Sequence, residues 1–258
     1  MKTILASSTL LWNARLDQIF DTIYKTGFDG IELWTEHFLN KKFDEKEYLK
    51  LSSLYPLKTY VHSSSWDLNL CSMNKQIRKA SINAVINSIK LAERIGSFEV
   101  TVHPGRKSVG TDCESYIFWL NDSLKQIAQV ADKLKIDVSL EIMEKVKNEF
   151  VTNLDMMRAV TGDMFDYFHY TVDVAHCDSE QELFELINNT PRVSKIHVSN
   201  RKKQKLHTPL SDGDYDFKKL LPKLFEYNLP LVIEGYDCTQ DFKTFNDNFN
   251  FLKNNGGI

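Results

Sequence analysis

Six apolar, β-branched runs in this chain each finish on, or one residue past, a histidine or a carboxylate. They are LKTYVH at His62, FEVTVH at His103, IDVSLE at Glu141, FHYTVD at Asp173, VSKIHV at His197 and LPLVIE at Glu234. Roughly 25 to 40 residues separate one end from the next, room for one helix and two loops each time. That is the rhythm of a (β/α)8 barrel, where reactive side chains come from the C-terminal ends of several strands. The expected class is α/β, a single (β/α)8 TIM barrel over residues 1–258. His176, three residues after Asp173, joins the same face.

The intervening sequence fills in the repeat. Strands are expected at about 3–8, 30–34, 58–61, 98–102, 138–141, 169–172, 193–198 and 229–233. Between them lie helical patterns at about 15–25, 44–54, 74–95, 114–134, 153–160, 180–188 and 217–226, with a last helix ending near Lys253. Gly27 and Gly96 stand where helices stop, as C-terminal glycines do. After strand seven the chain reads as a long basic loop.

Bulk properties exclude more than they assign. A net charge of −3 gives no global drive toward nucleic acid or membrane. No stretch approaches the ~18 apolar residues of a membrane span. MKTILASSTLLW places a lysine before apolar residues, but Ala6-Ser7-Ser8-Thr9 interrupts them, so it is expected to be the first strand. The cysteines Cys71, Cys113, Cys177 and Cys238 form no CxxC pair and read as reduced thiols of a cytoplasmic protein.

Glu141, Asp173, His197 and Glu234 end strands five to eight, and three carboxylates with one imidazole suit a divalent cation. Zinc or manganese comes first, with magnesium, cobalt or iron compatible. A ligand charge of −3 in a barrel mouth is untenable without a counter-charge, whereas unrelated structural hydrogen bonds would not demand one. His62 and His103 either hold a second metal with Glu141 as bridge or bind substrate hydroxyls. His169 and His37 read as structural and loop residues. Glu32 either enters the mouth or makes a buried ion pair. Trp12, Trp34 and Trp66 either wall a pocket for the apolar face of a sugar or pack locally. The RKKQK run, with Arg201 and Lys202, either grips an acidic substrate group or is a solvated loop.

With these residues placed, the chain resembles the xylose-isomerase-like superfamily of sugar isomerases and epimerases, inosose-processing enzymes and endonuclease IV. The resemblance runs over nearly the whole chain: GFDGIELW, VHPG, LE at strand five, DVAH, HVSN, LSDGDYDF and IEGY occur in order. In the epimerase branch it implies that Glu141, Asp173, His197 and Glu234 hold the metal. It also implies that Glu141 and Glu234 are the acid–base pair and that His176 contacts substrate oxygens. The implied reaction is proton abstraction beside a carbonyl that the metal polarises, on a sugar, sugar phosphate or polyol. A related lyase would dehydrate a keto-polyol, and a barrel that binds without turnover is a further alternative.

Endonuclease IV binds three zinc ions through nine ligands. The resemblance matches eight of them here, adding His62, His103, His176 and His207, but Lys205 stands where the ninth, an aspartate, belongs. Ile142-Met143 replaces the favoured asparagine, and CDSEQELF lacks that family's glycine signature. Nucleic acid is therefore not the expected partner, and a zinc phosphodiesterase is the alternative reading. A homo-oligomer is compatible with the resemblance.

Overall fold

The computed structural model describes residues 2–109 and 113–258. Eight strands form a closed parallel barrel: β1 (Ile4–Ser7), β2 (Gly30–Trp34), β3 (Lys58–His62), β4 (Glu99–Val102), β5 (Asp137–Ile142), β6 (His169–Asp173), β7 (Val193–Val198) and, after a hairpin, β10 (Leu231–Ile233). β1 closes the ring by pairing with both β10 and β2. The helices between strands are α1 (Leu16–Lys25), α2 (Thr35–Asn40), α3 (Glu45–Leu54), α4 (Lys75–Arg94), α5 (Glu114–Leu134), α6 (Leu154–Thr161), α7 (Glu180–Asn189), α8 (Phe217–Phe225) and α9 (Lys243–Asn254). The barrel read from the sequence is thus borne out. No helix among the described residues is long and apolar enough to cross a membrane.

Several helices begin where a short polar side chain takes up their unpaired N–H groups. Asp44 accepts from Glu47 N, Asn74 from Gln76 N and Ile77 N, Asn153 from Met156 N, and Ser179 from Glu182 N. Gly27 and Gly96 leave α1 and α4 at φ +82° and +78°, a conformation only glycine adopts without strain.

Strand side chains alternate between two environments, since successive Cβ atoms point to opposite faces. One set, including Ile31, Leu33, Val100, Leu140, Val172 and Ile196, packs against the helices in one continuous core. The inward apolar set is much smaller, a separate cluster of Leu5, Tyr60 and Val232. Most other inward positions are polar and bonded to one another: Ser139 to Thr171 at 2.7 Å, Thr101 to Glu32 at 2.8 Å, and Lys195 to Glu99. Register places Asp173 level with His197, so side chains from β6 and β7 emerge at one height.

Three local expectations are corrected. The segment after β7 is an antiparallel hairpin, β8 (Asn200–Lys202) with β9 (Lys205–Thr208), rather than a loop. Its charged residues hide the alternation: Asn200 and Thr208 are buried, whereas Lys202 and Lys205 are exposed. β10 starts at Leu231, after Pro230, whose missing N–H cannot join the ladder. His37 lies in α2 and is fully buried, stacked 4.7 Å from the Trp12 ring with Nε2 3.1 Å from Trp12 O. His169, at the start of β6, sits among Glu99, Asp137 and Arg192, away from the strand ends.

Burial pushes the His37 imidazole down to about 4 from its ordinary 6.5. Above pH 6.5 both folded and unfolded chains hold it neutral. As pH falls the unfolded chain binds the proton first, so stability declines, by about 3 kcal/mol once pH reaches 4. Urea midpoints across that window should fall less for His37→Gln, which keeps a donor but does not titrate. Equal declines in both chains would exclude His37 as the cause.

Candidate metal centre

Glu141, Asp173, His197 and Glu234 are carried to one point by β5, β6, β7 and the residue after β10. One ligand atom from each lies within 4.8 Å of the others. His197 Nδ1 is 3.1 Å from Glu234 Oε2 and 3.5 Å from Glu141 Oε1. None of the four residues is more than 6% exposed. Each nonetheless presents a buried atom with no hydrogen bond: Glu141 Oε2, Asp173 Oδ2, His197 Nδ1 and Glu234 Oε2. Buried polar atoms are normally satisfied, so these orphans, with Glu141 Oε1 turned to His197 and Oε2 to His103, fit a site built to hold a cation. The donor set, oxygen with one imidazole nitrogen, suits zinc or manganese and allows magnesium, cobalt or iron.

Two further groups flank this one. His62 Nε2 and His103 Nε2 are 3.1 Å apart, and His103 Nε2 is 3.0 Å from Glu141 Oε2. Asp173, His176 and His207 form the other. His176 Nε2 is 3.9 Å, and His207 Nδ1 4.0 Å, from Asp173 Oδ2. Lys205, in place of a carboxylate, is exposed on β9. Cys177 donates its thiol to Asp173 O at 3.3 Å and is buried.

Protons compensate part of the charge in this cluster. Burial raises the Asp173 carboxyl to about 7, with Glu234 and Glu141 adding to it against the pull of His176. Burial opposes the charge on His197, but Glu32, Glu234 and Glu141 outweigh it and hold the ring protonated well above its usual range. Burial likewise opposes ionisation of Glu141, yet His197 and His103 hold it well below the usual carboxylate range.

Glu141 and Glu234 line a cavity of about 490 Å³ whose wall includes Trp34, Trp66 and Tyr236, while Asp173 and His197 are buried beside them. Trp66 and Tyr236 are half-exposed, their rings 6.0 Å apart. Glu36 of α2 accepts from the backbone N–H groups of Ser65 and Trp66, which fixes the loop carrying Trp66. His103, His176 and His207 also face this space. Arg201 and Lys202 do not: Arg201 bonds Cys177 O at 2.8 Å and Asp178 Oδ1 at 2.9 Å, and Lys202 pairs with Asp212 at 2.6 Å. Sequence reasoning overlooked Arg106, Glu144, Glu149 and Tyr236, which also line the cavity. Their signal was their place in the loops just past β4, β5 and β10, where barrel specificity resides.

The profile of the xylose isomerase-like TIM barrel family matches residues 20–255. An uncharacterized protein of Methanocaldococcus jannaschii is 26% identical over 239 residues, 88% of this chain and 85% of that one. A probable endonuclease 4 of Acholeplasma laidlawii is 22% identical over 176 residues, 63% of this chain and 60% of its own. The crystal structure of a D-tagatose 3-epimerase-like protein shares the fold at a TM-score of 0.82 and 22% identity, covering 99% of this chain and 98% of that one.

Ligand protons must leave for a cation to enter, so affinity should fall as pH drops below about 7 and binding should release protons. Calorimetry of zinc binding in two buffers of different ionisation enthalpy measures that release. Zinc at 100 times its Kd should stabilise the chain by about 2.7 kcal/mol, and Asp173→Ala should abolish the gain. An unchanged gain in Asp173→Ala would remove Asp173 from the ligand set.

Proposed function

The chain belongs to the xylose isomerase-like TIM barrel family, and from that premise we propose that it is a divalent-metal-dependent isomerase or epimerase of an uncharged sugar or polyol. The observation that carries this reading is a cluster of four buried residues with unsatisfied ligand atoms, two of which, Glu141 and Glu234, open onto an aromatic-walled cavity. Glu141, Asp173, His197 and Glu234 would hold the ion. When bound, it supplies a Lewis acid that polarises neighbouring carbonyl and hydroxyl oxygens.

The remaining work falls to side chains. Glu141 and Glu234 stand on opposite sides of the ligand set, on β5 and past β10, with carboxyl oxygens within 4.8 Å of each other. One takes the proton beside the carbonyl, and the other returns it to the opposite face or the neighbouring carbon. The surrounding histidines, already hydrogen-bonding in character, orient hydroxyls. Trp34 and Trp66 offer flat apolar faces for the sugar ring or chain and displace water from it. Among the loop residues of the wall Asp67 and Glu144 face one cation, Arg106, which favours an uncharged substrate over a phosphate.

A zinc phosphodiesterase of the endonuclease IV kind is the second reading, favoured by the two further ligand groups, His62 with His103 and His176 with His207, that flank the four-residue cluster. The loop carboxylates Asp67 and Glu144 oppose it, since a phosphodiester backbone would meet like charge there. Cleavage of an abasic-site duplex by the zinc-loaded chain decides between the two.

Metal-loaded Glu234→Gln should keep its ion but lose about 10²- to 10⁴-fold in kcat, read as interconversion of ketoses and as deuterium uptake from D2O. Undiminished turnover would defeat the role given to Glu234. Trp66→Ala should raise KM several-fold while Arg201→Ala leaves it unchanged. A phosphorylated sugar turned over more efficiently than its parent sugar would overturn the uncharged-substrate reading.

A further inference from the structure

Beneath the candidate metal centre runs a buried row of charges that proton transfer does not use. Lys195, fully buried on β7, pairs with Glu99 Oε1 and lies 3.9 Å from Glu32 Oε1. Glu32, fully buried on β2, accepts from Thr101 Oγ1 at 2.8 Å. Its two oxygens then reach His197 Nε2, Oε2 at 3.1 Å and Oε1 at 3.3 Å. On the far edge of the same ring, Nδ1 has no hydrogen bond and faces Glu234 and Glu141.

A neutral imidazole has one N–H and one lone pair, and the group beside one nitrogen decides where the proton sits. A carboxylate at Nε2 keeps the proton there and leaves the lone pair on Nδ1. Lys195 has a nearer partner in Glu99, so the charge of Glu32 is left for His197. We propose that Glu32 is a positioning residue for the metal centre, holding His197 as the Nε2–H tautomer with Nδ1 aimed at the ion. The three inward residues Glu32, Thr101 and Lys195 come from three strands, so the barrel itself sets the ring's angle. Carboxylate–histidine–metal arrangements of this kind orient the ring and raise its basicity, and losing the outer carboxylate typically weakens metal binding about 10- to 100-fold.

The inference rests on the metal-centre reading, and its test separates the two. Zinc is titrated into chelator-treated wild type and Glu32→Gln against a competing chelator dye. Glutamine preserves shape and one acceptor but removes the charge. The expected result is about 10-fold or greater weakening in Glu32→Gln, with the metal-free thermal midpoint within a few degrees of wild type. Equal affinity in both chains overturns the role of Glu32 alone, whereas no zinc uptake by wild type overturns the metal centre as well. Nitrogen-15 NMR of histidine-labelled, zinc-loaded wild type gives the answer without a variant. His197 should show a protonated Nε2 and a metal-shifted Nδ1, and the reverse assignment overturns the proposal.

Discussion

Three carboxylates brought together out of water set the terms for the rest of this molecule. Glu141, Asp173 and Glu234 are each at most 6% exposed and converge with His197 on one point. Ions in such a place cost several kcal/mol each unless opposite charge is supplied. Protons on Asp173 and His197 offer partial relief, and a divalent cation would offer more. The cluster therefore works against folding in isolation. It is sustained by the helix-facing core that runs around the whole barrel.

That burden explains the polar interior. Many barrels fill their centre with branched apolar layers. Here, among the described residues, only Leu5, Tyr60 and Val232 form an inward apolar cluster. Glu99, Lys195, Glu32 and His197 alternate in sign from the base toward the strand ends, and hydroxyls of Thr101, Ser139, Thr171 and Ser194 cross-link the row. Alternation matters because each buried charge finds its opposite as a neighbour, which keeps desolvation from accumulating along the axis.

Above the cluster, recognition is divided between rigid and adjustable parts. Trp34 issues from β2 and stacks on His62 with ring centroids 3.8 Å apart, so its plane is fixed by the barrel. Trp66 sits on a loop whose backbone N–H groups are held by Glu36. Loop variation over a fixed centre is how one barrel serves many substrates. The acidic loop residues Glu144 and Glu149 belong to that variable part, and burial beside Glu144 pushes the Glu149 carboxyl up to about 7.

The sequence by itself determined the barrel and much of its mouth. Strand periodicity, helix caps and the spacing of His62, His103, Glu141, Asp173, His197 and Glu234 are local properties, and parallel strands carry such ends to one face whatever the loops do. Other features depended on residues distant in sequence. Glu32 admitted either the mouth or an ion pair until the fold brought His197, 165 positions further along the chain, to it. Arg201 and Lys202 looked ready for an acidic substrate, but the hairpin turned them toward Asp178 and Asp212. Charge in a sequence carries no direction; only the packed backbone decides which partner a long side chain meets and which remains open for a ligand.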